Sequence, residues 1–123
     1  MVLRLLAVLF AFCVAAPAGA AELVMLEQPA CPWCARFDAE IAPAYPKTEE
    51  GRIAPLRRVS IVEPWPPDLA GIVRERFTPV FILVEGGSEI GRIRGYPGDD
   101  FFWPLLDEMI ARLPARSRAA SAD

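Results

Sequence analysis

Apolar residues along the chain fall into short unbroken runs and into spacings of three and four, and the two patterns alternate. Leu23-Val24-Met25-Leu26, within Glu22 to Glu27, is an unbroken run that predicts a buried strand. From Pro32 onward, Cys34, Phe37 and Ile41 recur at spacings of three and four, which places them on one face of a helix with Arg36 and Glu40 turned outward. Pro32 suits the first turn, where an amide would have no helical partner, and Pro43 and Pro46 end the helix. Lys47 to Arg52 is polar, contains Gly51, and reads as a loop. It leads into a second strand near Leu56 to Val62, whose apolar contributors are Leu56, Val59 and Ile61.

Pro64-Trp65-Pro66-Pro67 excludes regular structure. Asp68 is then placed to cap a helix carrying Leu69, Ile72, Val73 and Phe77 inward. Val80 to Val84 is a continuous apolar run of strand composition, Gly86-Gly87 follows as a turn, and Glu89 to Arg94 completes an antiparallel hairpin. Ile90 and Ile93 are out of step with simple alternation, so the fourth strand is expected to carry a bulge near Gly91 or to lie at an edge. After Gly95-Tyr96-Pro97-Gly98, Asp99 and Asp100 complement the positive end of a last helix in which Phe102, Leu105, Leu106, Met109, Ile110 and Leu113 share a face. Pro104 lies near its first turn, and Pro114 stops it. The small polar stretch 115–123 is expected to be a disordered tail. The order is β-α-β-α-β-β-α, without internal repeat or interdomain linker.

The first twenty residues need a separate explanation. Met1 to Arg4 is a short positive start, Leu5 to Ala16 an almost unbroken apolar run, and Ala18-Gly19-Ala20 the small-x-small pattern of a signal peptidase site. A spanning helix needs about 20 consecutive apolar residues, and Pro17 and Gly19 interrupt well before that. Residues 1–20 therefore read as a cleavable signal peptide, 21–114 as one domain and 115–123 as the tail. Cleavage removes Cys13 and Arg4, leaving a pair of cysteines and 12 of the 13 basic residues against 16 acidic ones, a net charge of −4. With no basic stripe and no interleaved aromatic platform, nucleic acid is not an expected partner.

Export places Cys31 and Cys34 where disulfides persist, yet two cysteines make a poor structural framework. A bridge between them closes a loop of four residues and constrains the unfolded chain little, so its value is chemical. Thiol exchange proceeds through a thiolate, and a cysteine at a helix N-terminus has its anion stabilised by unpaired amides. Cys31 occupies that place and is assigned as nucleophile. Cys34, one turn in and on the apolar face with Phe37, is assigned as resolving thiol. A closed zinc site would need four ligands, and the chain has no histidine and no second cysteine pair. A lone CxxC can hold a soft monovalent metal such as copper, so a metal-binding module is an alternative.

The element order, the CxxC opening the first helix and Thr78-Pro79 just before the hairpin together resemble the thioredoxin superfamily. Cys31-Pro32-Trp33-Cys34, Gly95-Tyr96-Pro97-Gly98 and Asp100-Phe101-Phe102-Trp103-Pro104 are similar to the SoxS-type periplasmic thioredoxins of bacterial sulfur oxidation. The likeness spans essentially all of the mature chain, although the extra N-terminal strand and helix of full-length thioredoxins are missing. It implies an α/β, thioredoxin-like fold: a central mixed four-stranded sheet flanked by three helices. It also implies a cis-proline at Pro79, with the backbone of Thr78 pairing with substrate. Trp33 would be a contact surface or a cover for the disulfide, Pro32 would influence the redox potential, and Tyr96 with Pro97 would line the same groove or serve as a plain turn.

Thioredoxins carry a buried acid on the first strand below the disulfide, and the matching place here is Met25. Glu27 is a weak substitute, better read as a solvated strand-end charge. The resemblance implies a periplasmic thiol–disulfide oxidoreductase without cofactor. Its partner would be an exported protein bearing a cysteine or disulfide, a sulfur-oxidation carrier, and its electron donor a membrane thiol-transfer protein. A glutaredoxin-like, glutathione-using enzyme is a further alternative, encouraged by the Cys-Pro-aromatic-Cys motif and by Gly98-Asp99-Asp100 at a helix start.

Overall fold

In the computed structural model, which describes residues 20–119, strand β1 (Ala21–Glu27) runs through the middle of the sheet. Leu23 to Leu26 are all fully buried, because β1 has a strand on each edge and cover on each face. β2 (Leu56–Ser60) pairs with it in parallel, Leu23 opposite Leu56 and Glu27 opposite Ser60. β3 (Val80–Glu85) pairs with it antiparallel, Met25 opposite Phe81, and β4 (Ser88–Arg94) completes the order β2-β1-β3-β4. The mixed four-stranded sheet expected from the sequence is therefore what forms. Both features expected of β4 occur: it is an edge strand, and Ile90 is the extra residue of a bulge, since Leu83 faces Gly91 while Val84 faces Glu89. A Cβ at Gly91 would lie 3.1 Å from the Met109 thioether, so a glycine there lets the last long helix approach the strand.

The parallel step from β1 to β2 requires a crossover. It is made by α1 (Pro32–Glu40), a 3-10 turn at Tyr45–Lys47 and α2 (Glu49–Ile53). The segment expected as a loop at 47–52 is thus partly helical. Thr48 Oγ1 accepts the Gly51 amide at 3.0 Å, and Glu49 and Glu50 sit in the first turn, where negative charge is favoured. Gly51 is fixed by sterics: a Cβ would come within 1.9 Å of the Tyr45 carbonyl oxygen.

Between β2 and β3 the expected helix does not form. Only Pro67–Leu69 makes a 3-10 turn. Leu69 and Ile72 are buried, but Val73 is 73% and Phe77 45% exposed, so the apolar spacing there does not describe a helical face. Asp68, instead of capping, receives the Arg57 guanidinium at 2.6 and 3.0 Å. Gly71 followed by β-branched Ile72 and Val73 offers weak helix propensity, and the segment is instead tied by ion pairs from Asp68 to Arg57 of β2 and from Glu75 to Arg92 and Arg94 of β4.

α3 (Asp99–Ile110) buries Phe102, Leu106, Met109 and Ile110, with Leu113 just beyond it. Leu105, expected on that face, is at its margin and exposed. Of the expected tail, 115–119 is the short helix α4 (Ala115–Ala119) and not disordered. The segment expected to be a signal peptide, 1–20, lies outside the described residues apart from Ala20, as do residues 120–123. Because successive strand residues alternate, two apolar layers result. One joins Leu23, Met25, Phe37, Phe81, Tyr96 and Phe102, and the other joins Val24, Leu26, Val59, Leu69, Val80 and Ile82.

Candidate active site

β1 ends at Glu27, and Gln28-Pro29-Ala30 turns the chain into α1. Ala30 takes the left-handed conformation (φ 58°) that makes this turn tight. Cys31 then stands at the N-cap of α1 in extended geometry, with Pro32 in the first turn. The Cys34 amide donates to Cys31 Sγ at 3.2 Å. Cys31 and Cys34 are joined as a disulfide with Cα atoms 5.2 Å apart. Cys34 is 5% exposed and packs in the layer with Phe37, whereas Cys31 is half-buried at the helix mouth. An amide aimed at Sγ, at the positive end of a helix, favours negative charge on that sulfur once the bond is reduced.

Trp33 projects outward, 52% exposed, with the Arg36 guanidinium 5.6 Å from its ring centroid. Arg36 Nε also donates to Glu40 at 2.7 Å, and the Tyr96 hydroxyl donates to the other Glu40 oxygen at 2.5 Å. The Tyr96 hydrogen bond, followed by that of Arg36, holds the Glu40 carboxyl below its usual range. Burial first, and then the bond to Glu40, pushes the Tyr96 phenol up. Tyr96 is itself buried, edge-on to Phe37 with centroids 5.8 Å apart. Through these two contacts it packs beneath α1.

The Thr78–Pro79 bond is cis. Val80 lies opposite Leu26, and Gln28 Nε2 donates to Thr78 Oγ1 at 3.0 Å, so this segment runs alongside the turn that leads to Cys31. Pro79 is buried and Thr78 half-buried. Beside the disulfide an open groove of about 750 Å³ is lined by Glu27, Gln28, Cys31, Cys34, Asp38 and Ser60, among others. Arg58 of β2 ties together the elements around it. Its guanidinium donates to Glu27 at 2.8 Å and to Asp38 at 2.6 Å, and it lies 3.7 Å from the Met25 sulfur. Glu27 is therefore an ion-paired wall of the groove, not a freely solvated strand end.

Sequence reasoning missed Gln28, Asp38 and Arg58. Their proximity depends on strand register, for which a single sequence carries no local signal. Among the described residues, no group of three or more His, Cys, Asp or Glu side chains is arranged to hold a metal ion.

No protein-family model matches this chain, and no curated protein matches it. Among solved structures it is similar to the periplasmic thioredoxin SoxS from Paracoccus pantotrophus in its reduced form. The two are 53% identical with a TM-score of 0.68, over 75% of this chain and 97% of that one. Identity at this level, across nearly all of the relative and with the cysteine pair in place at the mouth of α1, carries both the fold and the dithiol chemistry. The chain belongs to the SoxS-like thioredoxins of the thioredoxin superfamily and is a thiol–disulfide oxidoreductase.

Proposed function

We propose that the protein is a periplasmic reductant, or redox activator, of one exported partner, exported itself through residues 1–20. Cys31 is the attacking thiolate and Cys34 the resolving thiol. The observation that carries this is the asymmetry of the pair: Cys31 is half-buried at the helix mouth and takes the Cys34 amide on its sulfur, while Cys34 is 5% exposed and packs in the layer with Phe37.

In the reduced protein the Cys31 thiolate attacks one sulfur of the partner disulfide. The partner S–S bond breaks, one partner thiolate leaves, and a mixed disulfide forms. Cys34 then loses its proton, attacks Cys31 Sγ and closes the internal bridge, releasing the second partner thiolate. Two electrons pass to the partner. Held one turn away, Cys34 acts intramolecularly, which makes release fast. Met25 offers no carboxyl to take the Cys34 proton, so that proton leaves through the groove beside Glu27 and Asp38. A membrane thiol-transfer protein restores the dithiol.

Thr78 presents its backbone to the partner chain beside Pro79, and Trp33 covers the other flank. The similarity to a periplasmic SoxS supports a sulfur-oxidation carrier with a redox-active cysteine as the partner.

Cys34→Ser blocks resolution and is expected to accumulate a mixed disulfide between Cys31 and the purified carrier, detected by mass spectrometry. Trapping through Cys34 alone, in a Cys31→Ser variant, would reverse the role assignment. A titration giving Cys31 an ordinary thiol pKa would remove its claim to be the attacking group.

A further inference from the structure

Residues 61–79 cover the second apolar layer with one 3-10 turn and otherwise irregular backbone. The last part, Val73 to Thr78, leads directly into cis Pro79, and the groups that hold it come from the edge strand β4. Arg92 donates to the Val73 carbonyl at 3.3 and 3.2 Å through its two terminal nitrogens, and to Glu75 Oε1 at 3.0 Å. The same guanidinium contacts the Glu89 carboxylate. Arg94 Nε donates to the same Glu75 oxygen at 2.8 Å. Arg92 and Arg94 are two apart on the strand, hence on one face, opposite Ile82 and Val80 in the register. One residue further on, the Gly95 amide donates to the Pro79 carbonyl at 2.8 Å.

The Arg92 side chain is 6% exposed. Burying a guanidinium is costly unless its donors are matched, and an apolar side chain would cover the sheet at least as stably. What a forked, planar cation adds is direction: it fixes a carbonyl and a carboxylate relative to the strand that carries it. Here the fixed groups are three and five residues before Thr78, in the segment that has exchanged a helix for side-chain ties.

We propose that Arg92, with Arg94 and Glu75, is a positioning clamp that holds Phe77-Thr78-Pro79 in place to pair with an extended peptide, and so sets affinity for polypeptide disulfides without touching the reacting sulfurs. This rests on the reading of Thr78 and Pro79 as the edge that receives substrate.

The test compares a synthetic peptide containing one internal disulfide with hydroxyethyl disulfide, which is too small to span the Thr78 edge. Arg92→Gln is expected to raise KM for the peptide about tenfold while kcat, and the rate with hydroxyethyl disulfide, stay within about twofold. Glu75→Gln, at a partly exposed carboxylate, is the variant to use if Arg92→Gln does not fold. The double variant is expected to be no worse than Arg92→Gln alone, because the two residues act as one unit. A parallel fall with both substrates, or an unchanged peptide KM in folded variants, overturns the clamp. Pro79→Ala separates the two readings. If it also leaves the peptide KM unchanged, the substrate edge itself has failed; if it raises KM and Arg92→Gln does not, only the clamp has.

Discussion

The two faces of the sheet are closed by different physics. On one, α1 and α3 press Phe37 and Phe102 onto Phe81, with the three ring centroids 4.6 to 5.3 Å apart. On the other, an irregular segment lies over Val24, Leu26, Val80 and Ile82 and is tied down by Arg57 to Asp68 and by Arg92 and Arg94 to Glu75. The first cover works by shape and dehydration, and it carries the disulfide on a helix whose position is set by buried rings. The second works by direction and charge, and it carries the segment next to Pro79. The disulfide stands on the cover packed by rings, and the edge proposed to receive substrate stands on the cover tied by charge.

The aromatic cover should be the harder to lose. Phe37→Ala removes the ring shared by Cys34, Phe81, Tyr96 and Phe102, and urea unfolding is expected to show a loss of about 3–5 kcal/mol. A loss below about 1 kcal/mol would mean that the two covers do not differ in kind. Gly51→Ala forces a methyl group onto the Tyr45 carbonyl beside the same layer and should cost about 1–3 kcal/mol in the same assay.

Each cover also contains a carboxylate whose titration reports on its ties. Glu40 is held low by Tyr96 and then Arg36, and Glu75 is held low chiefly by Arg94. Since both folded values are depressed, the stabilisation they give is complete above the ordinary carboxylate range, declines as pH falls from there, and is gone once pH has fallen through the lowered values. Carboxyl NMR titration of Tyr96→Phe should move Glu40 up toward its ordinary range and leave Glu75 where it was; Arg94→Gln should do the converse. Movement of both in either variant would show that the covers are coupled. The smallest expected effect is that of Val73→Ser. That side chain is solvent-facing, so stability should change by no more than about 0.5 kcal/mol, whereas a helix burying it would lose well over 1 kcal/mol.

The same contrast explains what could be read from the sequence. β1, β3, α1 and α3 were legible because each buries a continuous or periodic apolar set, and the bulge in β4 was legible because Ile90 and Ile93 break the alternation. Cys31, Cys34 and the cis bond at Pro79 came from motif and resemblance. The segment 68–77 misled because Leu69, Ile72, Val73 and Phe77 imitate a helical face, while the groups that decide its path, Arg57, Arg92 and Arg94, are on other strands. α2 has no apolar period; its one local sign was Thr48 followed by two glutamates. Tyr96 reads as a turn residue because nothing in Gly95-Tyr96-Pro97-Gly98 announces that Phe37 and Glu40 will close over its ring and hydroxyl.

The order β2-β1-β3-β4 leaves two strands with an open side, and each carries a pair of arginines: Arg57 and Arg58 on one, Arg92 and Arg94 on the other. Of these, Arg58 and Arg94 are 38% and 60% exposed, so each open margin presents charge to a molecule that would add itself as a fifth strand. Growth of the sheet into aggregates is thereby opposed at both margins, in a protein whose working surface must stay open to foreign chains.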